Sequence, residues 1–205
     1  CVTHSNSKML IQNDVSGPID FLSMTRALLP SLGAEAPGHP SSEAFPDLEQ
    51  VITVGEKAQP GALWWPECVE HASSIPLERL HELEGAVDPD EPTMILYTSG
   101  TTGFPKGVMH SHRAIQALTD RASRLEITHN DSFLCNIPLF HLFGLSEAAM
   151  MAVVAGSRLL LTETFDPDES VRLIERERAT FVLGFDVHFA AMIEARDRLN
   201  TDVSS

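Results

Sequence analysis

Residues 97–112 read YTSGTTGFPKGVMHSH, and no other stretch constrains the chain as strongly. Glycine stands at 100, 103 and 107, hydroxyl side chains at 98, 99, 101, 102 and 111, and a lysine at 106. Ahead of it, residues 94–97 form an apolar run that reads as a buried strand. Behind it, Ala114, Ile115 and Leu118 have helical spacing. A strand–loop–helix unit with so many small and hydroxyl-bearing residues suits a phosphate. Glycines let backbone N–H groups approach an anion, a helix N-terminus adds positive potential, and lysine adds a mobile charge. The run is not the common G-x-x-x-x-G-K-[ST] loop, because Phe104 and Pro105 separate Gly103 from Lys106 and a glycine follows the lysine.

The contiguous run Ser99, Gly100, Thr101, Thr102, Gly103, Pro105, Lys106 and Gly107 closely resembles the phosphate-binding loop of the adenylate-forming enzymes. These are the acyl-CoA synthetases, the luciferases and the adenylation domains of peptide synthetases. A second stretch, PLFHLFGL at residues 138–145, is similar to the Pro-x-x-His segment that the family places beside its carboxylate substrate. A third and weaker likeness covers residues 166–199. There the turn Gly184, Phe185, Asp186, Val187, His188 stands where the family carries a Gly-Val-Pro-like turn. The proline is missing, which leaves substrate choice open. Asp186 and His188 are read as helix-start residues, with Asp186 as the cap.

The resemblance implies a two-step reaction. A carboxylate attacks the α-phosphate of ATP to give an acyl-adenylate and pyrophosphate, and the thiol of coenzyme A then attacks the adenylate. Thr98, Ser99, Gly100, Thr101, Thr102, Gly103 and Lys106 would hold the phosphates, with Lys106 and His141 as the catalytic pair. Phe140, His141, Phe143, Gly184 and Phe185 would form the acyl side. Mg2+ would offset phosphate repulsion, but the chain offers it no complete ligand set. The family's Tyr-Gly-x-Thr-Glu stretch, ribose-binding Gly-Asp motif, hinge and small C-terminal domain do not occur. This 205-residue chain is therefore read as an internal piece of the large N-terminal domain, inactive as a ligase by itself. A fatty-acid CoA ligase fits best. An amino-acid or aryl-acid adenylation domain is the alternative, kept open by Asp186. A non-catalytic nucleotide-binding or dimerising module is the other, because truncated sheet edges favour a homodimer through strand pairing.

Along the chain, strand patterns at 8–12, 48–54, 94–97, 132–137, 158–161 and 180–183 alternate with helical ones. That order predicts an α/β fold, a mostly parallel sheet flanked by helices. Residues 1–90 read as the end of a first subdomain with a mobile loop near 31–46, and 91–205 as the phosphate-loop and acyl-pocket subdomain. Trp64 and Trp65 read as core packing, and His110 and His112 as surface groups. A net charge of −15 argues against binding the nucleic-acid backbone. Three widely spaced cysteines without a C-x-x-C pair point to a reduced, cytoplasmic setting. No histidine spacing suggests a metal site, and no apolar run reaches the length of a membrane span. The opening on Cys1 instead of Met, close to the apolar run at 9–11, is a further sign of an excised piece.

Overall fold

Strand and helix alternate from His112 to Leu199 as the sequence pattern predicts, whereas before it strands follow strands at residues 9–20, 50–64 and 92–111. The computed structural model describes residues 1–34, 36–100 and 103–205. The chain divides into two units, Cys1–Val87 with Ser99–Gly107, and Asp88–Thr98 with Val108–Ser205.

The first unit opens with β1 (Met9–Asn13), followed by a small hairpin, β2 (Val15–Ser16) and β3 (Ile19–Asp20). Helix α1 (Phe21–Leu28) starts where Asp20 accepts the Ser23 N–H at 2.8 Å, and Pro30 lies just beyond its end. Strand β4 (Gln50–Val54) pairs in parallel with β1, and β5 (Leu63–Trp64) pairs in parallel with the other edge of β4. Val51 and Thr53 are fully buried in the central strand, and Leu29, Leu48 and Ala62 complete the core. The described residues of 31–46 form no helix, and Gly38 ties this stretch to its neighbours. Gly38 donates to the Gly61 carbonyl at 2.9 Å, and Val51 donates to that of Gly38 at 2.8 Å. A Cβ on Gly33 would stand 2.3 Å from Gly61 Cα, so two backbones meet there and only glycine fits. Helices α2 (Trp65–Ala72) and α3 (Leu77–Ala86) bury none of their residues. The Trp64 indole N–H donates to the Gly55 carbonyl at 2.9 Å, while Trp65 is half exposed.

The second unit contains β6 (Pro92–Thr98), which forms a two-stranded sheet with β7 (Lys106–Ser111). This corrects the strand–loop–helix expectation. Lys106 begins a strand, and α4 (His112–Arg124) starts only after it, about 20 Å further along an extended chain. The positive end of α4 therefore does not belong to the loop by sequence adjacency. Ser111 holds the N-cap position as expected, but its hydroxyl makes no capping bond.

Strand β8 (Ser132–Cys135) is the centre of the main sheet, and all four of its residues are buried. The helix after it runs through α5 (Leu142–Gly144), a π-helical turn (Leu145–Met150) and α6 (Met151–Ala155), and Gly156 closes it at φ 69°. Then come β9 (Arg158–Leu161), α7 (Pro167–Glu177), β10 (Phe181–Leu183) and α8 (Asp186–Leu199). The order is β10-β8-β9, all parallel, with Phe133 opposite both Leu159 and Phe181. Successive residues of β8 serve opposite faces. Phe133 packs with Leu118, Ala122, Met151 and Ala152, and its ring stacks on Phe181 at 5.0 Å. Leu134 packs with Val171, Ile174, Met192 and Ala195. A strand buried on both faces reads as a continuous apolar run, as this one does.

Candidate functional site

Several described groups of the loop after β6 face solvent. Thr98 ends the strand exposed, Ser99 and Lys106 are exposed, and Lys106 makes no ion pair among the described residues. Gly100 has φ 60°, and a Cβ there would stand 2.3 Å from the Phe104 carbonyl oxygen. Gly103 has φ 85° and open space where a side chain would be. Gly100 and Gly103 are thus both left-handed, within six residues of Lys106. Thr101 and Thr102, assigned to the same phosphates by resemblance, lie outside the described residues. Among the described residues, no group of three or more His, Cys, Asp or Glu side chains could hold a metal ion, so no magnesium ligand is assigned.

The residues expected on the acyl side all lie in the second unit, and β8, β9 and β10 end on the same side of their parallel sheet. A cavity of ≈ 600 Å³ opens there, lined among others by Asn136, Phe140, Glu163, Phe165, Phe185 and His188. Ligands of open parallel sheets bind in crevices at such carboxyl ends. Of the five expected residues, Phe140 and Phe185 line the cavity, and Phe140 is 81% exposed. Phe143 packs against Cys135, Ile137 and Ala148, with its ring 5.9 Å from that of Phe185. Gly184 lies against His188, where a Cβ would come within 3.0 Å of the histidine Cβ.

His141 stands apart from this cavity. It caps α5, its Nδ1 accepting the Phe143 N–H at 3.2 Å and its carbonyl accepting the Leu145 N–H at 3.0 Å. Because Nδ1 accepts, the neutral ring carries its proton on Nε2, where it can donate outward. Phe140 and this histidine are thus placed by one short segment, but of the two only Phe140 lines the cavity.

The start of α8 also differs from expectation. Phe185 holds the N-cap position in extended backbone, and Asp186 is already in the first turn. His188 acts in the cap instead, its Nδ1 accepting the Phe185 N–H at 3.0 Å. Three cavity residues, Asn136, Phe165 and Glu163, carried no motif. Their only sequence signal is position, each within a few residues of the end of β8 or β9. Burial pushes the Cys135 thiol up, and its Sγ–H points to the Ile137 carbonyl at 3.2 Å, so it is a neutral thiol at the cavity wall.

Residues 1–205 match the family model for AMP-binding enzymes. The chain belongs to that family, the adenylate-forming superfamily. It is 33% identical over 175 residues to the 3-[(3aS,4S,7aS)-7a-methyl-1,5-dioxo-octahydro-1H-inden-4-yl]propanoyl:CoA ligase of Mycobacterium tuberculosis, covering 85% of this chain and 34% of that protein. It is 30% identical over 189 residues to the mitochondrial medium-chain acyl-CoA ligase ACSF2 of Danio rerio, covering 90% and 31%. The chain thus spans about a third of the length of these curated relatives. Among solved structures, the anthranilate CoA ligase AuaEII superposes with a TM-score of 0.73 at 19% identity, covering 99% of this chain and 35% of that one. The N-terminal domain of FACL13 from Mycobacterium tuberculosis superposes at 0.65 and 20% identity, covering 99% and 43%. At such identities the superpositions speak for the fold alone. No helix among the described residues is long and apolar enough to cross a membrane.

Proposed function

We propose that this chain is part of an AMP-forming acyl-CoA synthetase. A carboxylic acid displaces pyrophosphate from ATP to give an acyl-adenylate, and the thiol of coenzyme A then displaces AMP. The observation that carries the reading is the family match along all of residues 1–205. Relatives named as CoA ligases support it.

In this reading the loop positions and neutralises phosphate while the α-phosphate is attacked, and breaks no bond itself. Thr98, Ser99, Gly100, Thr101, Thr102 and Gly103 supply backbone and hydroxyl donors, and Lys106 supplies the charge. His141 orients the carboxylate through its Nε2–H. Phe140, Phe143, Gly184 and Phe185 belong to the acyl side. A fatty acid is the proposed acid, although the relatives' names range from a medium-chain acyl group to a dioxo-indenyl propanoyl group. Mg2+ is a proposed companion of ATP whose ligands are not assigned to this chain. The cytoplasm is the proposed location. The outer edges of β9 and β10, free of strand partners among the described residues, keep a homodimeric nucleotide-binding module as a second reading.

Titrating ATP into the chain and into Lys106→Ala tests the loop. Losing one charge-assisted contact should weaken binding about tenfold or more. Unchanged affinity would remove Lys106 from the phosphate site. Pyrophosphate release with ATP and a fatty acid tests the enzyme reading in the full-length protein. The same assay on this chain alone is expected to give none, and size-exclusion chromatography tests the dimer.

A further inference from the structure

We propose that His188 touches the acyl substrate and sets its specificity. The favoured acid carries a neutral hydrogen-bond acceptor, a ketone, hydroxyl or ether oxygen, in an otherwise apolar tail. The inference rests on the acyl-site reading above and names the class of acid within it.

The position of the ring proton decides what His188 can offer a ligand. Phe185 N–H donates to His188 Nδ1 at 3.0 Å. A backbone N–H can only donate, so Nδ1 is bare and the neutral imidazole holds its proton on Nε2. The ring is fixed by its neighbours. The Phe165 ring centroid is 4.4 Å away and that of Phe185 5.7 Å. Gly184 leaves the room for it, since a Cβ there would stand 3.3 Å from Nδ1. Gly184 is not left-handed, so this close approach, and not its backbone conformation, is what calls for glycine. His188 is therefore a preorganised donor in the wall of the cavity, with little rotamer freedom left to lose on binding.

A second donor shares the wall. Asn136 is only 6% exposed and lines the same cavity. Its Oδ1 accepts from Ser170 Oγ at 3.2 Å, and its Nδ2 reaches Met192 Sδ at 3.6 Å. A thioether is a weak acceptor, and the amide has two N–H groups to place. The rest of the wall sets apolar groups, Leu139, Leu161 and Phe165 among them, beside Thr162, Glu163 and Thr164. A plain alkyl tail would strip water from the imidazole N–H and return nothing, whereas an oxygen in the tail would satisfy it. A neutral N–H donor is matched by a neutral acceptor.

The test compares a saturated fatty acid with its oxo counterpart of equal length, titrated calorimetrically into the chain, His188→Phe and His188→Asn. The oxo acid should bind about three- to tenfold more tightly to the wild-type chain. His188→Phe should close the gap from both sides, weakening the oxo acid and, with no imidazole N–H left to desolvate, tightening the saturated acid. His188→Asn, which can still accept from Phe185 and donate outward, should keep part of the preference. Imidazole 15N spectra should give the Nε2–H tautomer, with that proton shifting on addition of the oxo acid alone. Equal affinities in the wild type, equal weakening of both acids by His188→Phe, or a proton on Nδ1 would each overturn the proposal. If the phenylalanine variant does not fold, the asparagine variant and the spectra still decide. If neither acid binds the wild-type chain, the acyl-site reading itself fails and the specificity role fails with it.

Discussion

The phosphate loop and the carboxyl-end cavity would serve the two substrates of one reaction, and they are built in opposite ways. The loop is local. A handful of contiguous residues sets it, and the atom that crowds Gly100 is the carbonyl of Phe104, four residues on. The cavity is assembled from a distance. Asn136, Phe165 and His188 come together because β8, β9 and β10 pair in parallel and stop at one level. The difference teaches where specificity resides in such a chain. A site for a shared anion can be written in a short string, but a site for a variable tail is written in the register of a sheet.

The largest effect that would break this comparison is expected at the sheet. Phe133→Ala removes a ring that is 2% exposed and stacked on Phe181. Urea unfolding of the second unit should lose about 3–5 kcal/mol, the usual cost of an aromatic cavity. A loss below about 1 kcal/mol would mean that the cavity's floor is not core packing. The loop should behave differently. Gly100→Ala forces a Cβ into a left-handed residue and against Phe104, so the loop must change shape. ATP affinity should fall about tenfold, or roughly 1.4 kcal/mol, while the urea midpoint stays nearly fixed. A large fall in the midpoint with binding intact would invert the contrast.

The smallest effect lies at the amino ends of the same strands. The Asp131 carboxylate accepts from the Thr128 N–H at 2.7 Å and from the Thr180 hydroxyl at 2.9 Å. The Thr128 N–H above all holds its carboxyl below the usual range, against an opposing push from burial and with further help from the Thr180 hydroxyl. A depressed carboxyl stabilises the fold above its unfolded pKa of about 3.9 and loses that contribution as pH falls through the lower folded value. Wild-type stability should therefore drop as pH falls below about 4, and Asp131→Asn should lack that part of the drop. Identical pH profiles for the two proteins would remove Asp131 from the account. ATP affinity should be the same in both.

Much of the scaffold was legible. The strand expected at 158–161 is β9 residue for residue, and Asp166 with Pro167 opens α7, the carboxylate accepting the Glu169 N–H at 2.9 Å. These features depend on local periodicity and capping, which a sequence displays. What escaped depends on pairing. β5 has two residues, too few for a pattern, and β7 hides behind Gly107 in a run that reads as loop. The PLFHLFGL segment announced its chemistry through residue types, yet the sequence could not say that Phe140 would line the cavity and His141 would not. His188 was visible as a helix-start residue, but its place in the wall needs the ends of β8 and β9 in the same view.

The π-helical turn at Leu145–Met150 bears on which changes of length this chain can accept. A π turn holds one residue more than an α turn, so it is geometrically equal to a single insertion in a regular helix. Before and within it, Phe143 and Ala148 meet Cys135 and Ile137; after it, Met151 and Ala152 meet Leu118, Ala122 and Phe133. Deleting one residue there would leave an ordinary helix whose two ends are out of phase by about 100°. One of the two groups would then face away from its partners. The extra residue is thus the setting that lets one helix answer to both the cavity wall and the core.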